Sequence, residues 1–130
     1  MIVLVVDDSP AVRARLVAMI GAAPDVDVRE AGEAEGALAV IASSAVDVVV
    51  LDLHLPRTSG LELLTRIKAL DSTITVVVLT NEVSAPYRRE CLLRGADHFF
   101  DKSRHFTRAA EAVLASARSA RMRRSTTVLS

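Results

Sequence analysis

Residues 2–10 read IVLVVDDSP, and this stretch sets the architecture of the chain. Five apolar residues follow one another without polar alternation, a pattern that predicts a strand buried on both faces, as the strands of parallel sheets are. Asp7 and Asp8 come directly after the run, so we predict that both carboxylates lie at the carboxyl end of this strand. Pro10 suits the first turn of a helix that begins there.

The same pattern of a strand followed by a helix recurs along all 130 residues. Apolar runs predict strands over 2–6, 47–51 and 74–79, and two shorter strands are predicted over 26–30 and 97–100. Amphipathic spacing predicts helices over 10–22, 33–43, from 60 onward, 86–94 and 104–121. Strict alternation of buried strands and helices implies right-handed crossovers with helices on both faces of a parallel sheet. The sequence therefore predicts the α/β class, as a flavodoxin-like (βα)5 doubly wound sandwich with strand order 2-1-3-4-5.

Length and composition indicate one ordinary globular domain, since 51% of the residues are hydrophobic. No stretch approaches the roughly 18 to 20 continuous apolar residues of a membrane span, and the first residues lack a signal-peptide pattern. We therefore expect a cytoplasmic protein.

The single cysteine, Cys91, lies on a helical pattern beside two leucines, which favours a buried apolar side chain over a disulfide, redox or zinc residue.

The formal net charge is zero, but the charges are unevenly distributed. Residues 1–101 carry nine basic and fifteen acidic side chains, whereas residues 102–130 carry seven basic and one acidic. No aromatic residues are interleaved with the arginines at the basic end, so we expect the solvated face of a terminal helix and not a nucleic-acid interface. We expect the domain to cover residues 1–122 and a basic and polar tail to follow at 123–130.

Polar side chains follow four of the predicted strands. Asp7 and Asp8 end strand one, Asp52 ends strand three, Thr80 ends strand four and Lys102 ends strand five. In such sheets the ligand crevice lies at the carboxyl ends of the strands, between strands one and three for this order. Three carboxylates in one crevice predict a hard divalent cation such as Mg²⁺, which prefers oxygen ligands. A carboxylate nucleophile, a cation and a fixed ammonium are the groups that phosphoryl transfer to aspartate requires.

Four stretches resemble the receiver domain of bacterial two-component response regulators, the CheY-like superfamily, and the resemblance covers residues 1–122. The matching stretches are LVVDDSP (4–10), DVVVLDLHLPRTSGLELL (47–64), VVVLT (76–80) and GADHFFDK (95–102). The resemblance implies that Asp52 accepts a phosphoryl group from a sensor histidine kinase or a histidine phosphotransfer protein. It also implies Mg²⁺ or Mn²⁺ as the cofactor, and a signalling domain that catalyses only its own phosphorylation and dephosphorylation.

The resemblance further implies roles for the residues around Asp52. Asp8 would bind the metal directly, Asp7 would act mainly through a metal-bound water, and the main-chain carbonyl of His54 would be another metal ligand. Thr80 and Lys102 would contact the phosphoryl oxygens.

A conformational switch is also implied by the resemblance. Phe99, three residues before the lysine, stands at the position of the family's switch aromatic and would rotate inward as Thr80 moves toward the phosphoryl group. Phe100 is expected to face the opposite side of the sheet. The face formed by helix four, strand five and helix five would then bind a partner or a second copy of the chain. Arg88 and Arg89 make this face basic here, which suggests an acidic surface or a homodimer.

Two positions depart from the family pattern. Ser103 follows Lys102 where the family usually has proline after a cis bond. Because a cis bond to a non-proline residue costs about 2.5 to 4 kcal/mol, we predict a trans bond here. Asn81 follows Thr80 where small residues are usual, and is expected either to narrow access to the phosphoryl pocket or to lend it an amide.

Two other side chains are expected at the mouth of the pocket. His54 and Glu82 each stand two residues past a site residue. We hypothesise that they set how readily water attacks the acyl phosphate; the alternative is that both are solvated rim residues.

Other classes of protein fit the residues less well. A flavodoxin-type cofactor binder needs a hydroxyl- and glycine-rich phosphate loop, where DDSP would repel a phosphate. An aspartate-based phosphatase typically has an acidic residue where this chain has His54. A receiver of a longer transcriptional regulator and a phosphorylation-independent binding receiver stay open as alternatives, and we favour a single-domain regulator.

Overall fold

The computed structural model describes residues 1–129, and the side chains within that range except those at 121 and 123–129. Its strands are β1 (Ile2–Val6), β2 (Asp27–Ala31), β3 (Val46–Leu51), β4 (Thr75–Thr80) and β5 (His98–Asp101). Its helices are α1 (Pro10–Ile20), α2 (Ala34–Ser43), α3 (Gly60–Leu70), α4 (Ala85–Leu93) and α5 (Phe106–Leu129). Strands and helices alternate throughout, as the sequence predicts.

The five strands form one parallel sheet in the order β2-β1-β3-β4-β5, which confirms the predicted flavodoxin-like class. Val6 at the end of β1 is paired with Leu51 at the end of β3. The main-chain N–H of Asp52 donates to the Val6 carbonyl at 3.0 Å. The register therefore brings the residues that follow β1 and β3 to the same edge of the sheet.

The hydrophobic core lies on both faces of the sheet. Leu4 and Val6 of β1 join the buried cluster formed with α2, α3 and α4. Val3 and Val5 of the same strand join the cluster formed with α1 and α5. Because neither face of β1 meets water, each successive side chain gains burial energy, about 1.5 to 3 kcal/mol for a fully buried aliphatic residue. This is why the strand has no polar alternation.

Helices α1 and α3 begin at the carboxyl edge of the sheet with serine caps. The Ser9 hydroxyl accepts a hydrogen bond from the main-chain N–H of Val12, and Pro10 occupies the first turn. The Ser59 hydroxyl accepts from the N–H groups of Leu61 and Glu62. These caps fix the loops that carry the polar residues after β1 and β3.

Helix α4 has a single buried residue, Cys91. Burial raises the pKa of the Cys91 thiol above its ordinary value of 9.0. The cysteine therefore has the buried, apolar environment that the sequence predicts. Its neighbours Leu92 and Leu93 are exposed.

Helix α5 does not end where the sequence analysis placed its end. It continues to Leu129, eight residues beyond the predicted range 104–121. Residues 122–129 contain neither glycine nor proline, so no helix-breaking residue stops it. The side chains of the expected tail lie outside the described residues, and the boundary between domain and tail stays a prediction.

Two further observations concern the helices and one peptide bond. Within residues 1–129, none of the helices is both long enough and apolar enough to cross a lipid bilayer. The peptide bond between Lys102 and Ser103 is trans, as predicted.

Candidate functional site

Three aspartates meet at the carboxyl edge of the sheet. One carboxylate oxygen from each of Asp7, Asp8 and Asp52 lies within 4.8 Å of the others. Asp7 and Asp52 are buried, whereas Asp8 is exposed. The acidic residues that the sequence analysis assigned to the ends of strands one and three thus share one site.

Lys102 joins two of these carboxylates. Its ammonium nitrogen lies 2.8 Å from Asp7 Oδ2 and 2.8 Å from Asp52 Oδ2. Burial alone would lower the pKa of Lys102, but the hydrogen bonds to Asp52 and Asp7 and the negative charges of these groups together outweigh it and raise the pKa above its ordinary value. The side chain is therefore a permanent cation at neutral pH, held between two buried anions.

The remaining oxygen of each buried carboxylate is held by the main chain. Asp7 Oδ1 accepts from the N–H of Ser9 at 2.9 Å, and Asp52 Oδ1 accepts from the N–H of His54 at 3.2 Å. The guanidinium of Arg13 donates to the Asp7 carbonyl at 2.6 Å. These contacts fix both carboxylates before any ligand arrives.

The net negative charge of this site suits a divalent cation. Three carboxylates face one ammonium, so two negative charges remain uncompensated. Oxygen donors and a surplus of negative charge are what Mg²⁺ and Mn²⁺ prefer. Asp8 makes no hydrogen bond or ion pair within the described residues, so its carboxylate is available as a ligand. The donor set therefore fits the ion that the sequence analysis predicted.

Thr80 lies at the end of β4, the strand that pairs with β3. Its side chain is fully buried, and its hydroxyl oxygen accepts from the main-chain N–H of Glu82 at 3.2 Å. The Thr80 carbonyl accepts from the N–H of Lys102 at 2.9 Å. The ends of β4 and β5 are therefore joined next to the carboxylates.

Phe99 and Phe100 point to opposite faces of the sheet. Phe99 packs against the cluster of α2, α3 and α4, and the guanidinium carbon of Arg88 lies 6.0 Å from its ring centre. Phe100 packs against the cluster of α1 and α5. Both rings are only partly buried. They line a groove of about 300 Å³ between α4, β5 and α5, together with Val83, Arg88, Asp101, Arg104, His105 and Arg108.

His54 and Glu82 occupy different environments. The His54 side chain is exposed, and that of Glu82 is partly exposed. No hydrogen bond or ion pair joins the two side chains in the described part of the chain. Their predicted influence on the acyl phosphate stays a prediction, as does the role of the His54 carbonyl.

Sequence reasoning missed two contacts of the site. One is the bond from Arg13 to the Asp7 carbonyl; the same guanidinium also donates to Glu30 Oε1 at 3.1 Å. The other is a hydrogen bond from the Ser103 hydroxyl to Asn81 Oδ1 at 3.0 Å. One signal for the second contact was present in the sequence, since Asn81 and Ser103 both depart from the family pattern.

The fold and the site together define a class of protein: a parallel α/β sandwich with an acidic cluster and a lysine at the carboxyl edge of its sheet. The response regulator receiver domain family matches this chain over residues 3–114. The chain therefore belongs to that family, the receiver domains of two-component systems. Receiver domains are signalling domains that interact with histidine kinases or phosphotransfer proteins, and they typically bind Mg²⁺ through an acidic cluster.

Curated relatives are longer proteins that contain a similar segment. The DNA-binding transcriptional activator DevR/DosR of Mycobacterium tuberculosis is 35% identical over 101 residues, which cover 77% of this chain and 46% of the activator. The sensor histidine kinase RcsC of Salmonella typhimurium is 33% identical over 102 residues, which cover 78% of this chain and 11% of the kinase. The chain thus spans about half or less of the length of these relatives.

Solved structures show the same fold. The response regulator domain of Thermotoga maritima CheB has a TM-score of 0.78 and 29% identity, and the match covers 92% of this chain and 94% of that one. The receiver domain of Francisella response regulator 1452 has a TM-score of 0.82 and 23% identity, covering 92% and 98%.

Proposed function

We propose that Asp52 accepts a phosphoryl group from the histidine of a sensor kinase or of a histidine phosphotransfer protein, with Mg²⁺ or Mn²⁺ as the cofactor. Asp7, Asp8, Asp52 and the main-chain carbonyl of His54 would hold the ion. The observation that carries the proposal is the Lys102 ammonium, 2.8 Å from carboxylate oxygens of both Asp7 and Asp52.

The strand order supports Asp52 as the acceptor among the three aspartates. Strand β3 lies between β1, which precedes Asp7 and Asp8, and β4, which ends on Thr80. Asp52 therefore has the acidic pair on one side and the buried hydroxyl on the other. A phosphoryl group on Asp52 would be within reach of groups from both neighbouring strands.

The reaction needs little covalent chemistry from the protein. An Asp52 carboxylate oxygen forms a bond to phosphorus, the bond from phosphorus to the donor's imidazole nitrogen breaks, and the imidazole leaves with the electron pair. A divalent cation bound at the site supplies positive charge for the phosphoryl oxygens. Lys102 exchanges its bond with Asp52 for one with a phosphoryl oxygen, and the Thr80 hydroxyl donates to another.

The contacts of Thr80 and Lys102 with the phosphoryl group would also shift the conformational equilibrium of the domain. The Thr80 hydroxyl is bonded to the N–H of Glu82 before phosphorylation. The same hydroxyl can still donate its proton to a phosphoryl oxygen. Movement of Thr80 toward that oxygen would open space into which Phe99 turns. The equilibrium between the two packed states shifts because only one of them makes the charge-assisted bonds.

The residues at the rim of the site set the lifetime of the phosphorylated state in this proposal. His54, Asn81 and Glu82 follow Asp52 and Thr80 closely and are all at least partly exposed. Dephosphorylation rates of His54→Ala and Glu82→Ala test the role of these side chains. Rates equal to that of the wild type would remove the idea.

The surface proposed to bind a partner after the conformational change is the face of α4, β5 and α5. Arg88, Arg104 and Arg108 line its groove, and none of them has an ion pair among the described residues. An acidic partner surface, or a second copy of the chain, would neutralise these guanidinium groups. Gel filtration with and without beryllofluoride and Mg²⁺ tests the homodimer, which a single monomeric species under both conditions would exclude.

The chain is also proposed to act in the cytoplasm as a single-domain regulator. The alternative is the receiver of a longer transcriptional regulator, since curated relatives such as the mycobacterial activator extend beyond the matching segment. Detection of the native product with an antibody separates these cases, because a product much longer than 130 residues would refute the single-domain proposal.

The central experiment is incubation with acetyl phosphate and Mg²⁺, read by intact mass. We expect one phosphoryl group on the wild type and none on Asp52→Asn. Asp71→Asn is the matched control, because Asp71 is an exposed aspartate that ends α3 at the opposite edge of the sheet. A wild type that stays unmodified would overturn the proposal in favour of a phosphorylation-independent binding receiver.

A further inference from the structure

Asn81 and Ser103, 22 residues apart, meet across the mouth of the site. The Ser103 hydroxyl donates to Asn81 Oδ1 at 3.0 Å. Asn81 directly follows Thr80, and Ser103 directly follows Lys102. The bond therefore joins the two loops that carry the proposed phosphoryl-binding hydroxyl and ammonium.

The loop after β5 is held by side-chain contacts. Asp101 Oδ1 accepts from the N–H of Ser103 at 2.8 Å and from the N–H of Arg104 at 3.4 Å. A proline in place of Ser103 would lack both the N–H and the hydroxyl that make these contacts. The turn that positions Lys102 therefore uses the Ser103 N–H, which a proline would lack.

The two loops are joined at two points. The first is the main-chain bond from the Lys102 N–H to the Thr80 carbonyl at 2.9 Å. The second is the side-chain bond between Ser103 and Asn81. A single bond would act as a pivot, whereas two bonds fix the relative orientation of the loops.

We propose that Asn81 and Ser103 are positioning residues for phosphorylation. Their hydrogen bond makes Thr80 and Lys102 move as one unit, and it restrains the Lys102 loop in place of the proline that usually follows the lysine. This inference rests on the proposed function of Asp52. Neither side chain needs to touch the phosphoryl group.

The test is a double-mutant cycle on the rate of Asp52 phosphorylation by acetyl phosphate at saturating Mg²⁺. The variants are Ser103→Ala, Asn81→Leu and the two combined; leucine keeps the approximate size of asparagine, so access to the pocket changes little. We expect each single change to slow phosphorylation by about three- to tenfold, the effect of one lost hydrogen bond. The combined variant should be no slower than either single variant.

Two controls separate positioning from a general structural effect. Ser103→Thr keeps the hydroxyl and should restore a rate near that of the wild type. Ser84→Ala removes an exposed hydroxyl that makes no cap hydrogen bond at the start of α4, and should leave the rate unchanged. Affinity for beryllofluoride, measured by calorimetry with Mg²⁺, should fall in Ser103→Ala and recover in Ser103→Thr.

The outcomes distinguish this inference from the proposed function. A wild type that is phosphorylated while Ser103→Ala reacts equally fast overturns the inference alone. Effects of the two single changes that multiply in the combined variant also overturn it, because the side chains would then act independently. A wild type that is never phosphorylated overturns both.

Discussion

The Lys102 ammonium lies 2.8 Å from Asp52 Oδ2, although the two residues are 50 positions apart in the sequence. The same nitrogen is 2.8 Å from Asp7 Oδ2. Lys102 therefore bonds to oxygens of two of the three carboxylates that fit a divalent cation. It stabilises these carboxylates, and we expect it to compete with a divalent cation for them.

Replacement of Lys102 by methionine should expose this competition. We expect the free energy of unfolding without Mg²⁺ to fall by about 3 kcal/mol, because two buried carboxylates lose their counter-charge. Mg²⁺ should then stabilise the variant more than it stabilises the wild type. Urea denaturation with and without Mg²⁺ measures both effects.

Lys68→Met is the matched control for this substitution. Lys68 is also largely buried and pairs with Asp97 at 2.9 Å, but at a position away from the carboxylate cluster. Its replacement should lower stability without changing the response to Mg²⁺. An equal Mg²⁺ response in Lys102→Met and the wild type would contradict the competition.

Gly60→Ala should disturb the acidic site from the start of α3. A Cβ atom at Gly60 would lie 2.4 Å from Leu53 Cα and 2.8 Å from the Asp52 carbonyl oxygen, so the main chain next to Asp52 must move. We expect a loss of about 3 kcal/mol in the free energy of unfolding and weaker Mg²⁺ binding. Urea denaturation and calorimetry measure the two quantities.

Gly36→Ala provides the comparison within a helix. A Cβ atom there would meet only the Ala31 Cβ, at an ordinary 3.6 Å. We expect a gain of about 0.5 to 1 kcal/mol in stability, because alanine restricts the unfolded chain more than glycine does. Equal effects of the two substitutions would refute the close approach at Gly60.

Arg13→Met should weaken the support of Asp7. The arginine donates to the Asp7 carbonyl at 2.6 Å and to Glu30 at 3.1 Å, and methionine keeps an apolar stem but loses both bonds. We expect the free energy of unfolding to fall by about 2 kcal/mol. Arg66→Met, at an exposed position of α3 with no ion pair in the described chain, should change it by less than about 0.5 kcal/mol.

The Cys91 thiol should make stability depend on pH in the alkaline range. Burial raises its pKa in the folded state above 9.0, so the unfolded chain loses the thiol proton first. The contribution of the neutral thiol is complete below pH 9.0 and is lost as the pH rises through the folded-state pKa. Cys91→Ala should therefore show a smaller fall in the free energy of unfolding between neutral and alkaline pH.

Thiol labelling checks the same environment independently. We expect a thiol reagent at pH 8 to modify Cys91 only in denaturant, because the side chain is fully buried. Rapid labelling of the folded protein would contradict this.

The positions of β1, β3 and β4 could be predicted closely because each is largely an apolar run with a polar residue at its end. The predicted strand over 74–79 is β4 at Thr75–Thr80, a shift of one residue, and 2–6 is unchanged. The convergence of Asp7, Asp8 and Asp52 follows from the same logic, since all parallel strands end at one edge.

Hydrogen bonds that side chains make between separate loops and elements could not be predicted in the same way. Arg13 reaches the Asp7 carbonyl, and Ser103 reaches Asn81, through loop paths and rotamers that no periodicity encodes. The end of α5 was also missed, because the absence of a breaker after residue 121 carries little information. The chemical roles of Asp52, Thr80 and Lys102 stay predictions until phosphorylation is measured.

The site residues come from the ends of four separate strands, which has a consequence for biosynthesis. Asp7 emerges from the ribosome first, and Lys102 emerges only after all five strands have been made. A nascent chain that lacks β5 has the acidic residues without the ammonium that neutralises them. If the proposed function holds, the ability to accept a phosphoryl group is therefore acquired late, when the last strand joins the sheet. A polypeptide truncated before that strand should not be phosphorylated on Asp52.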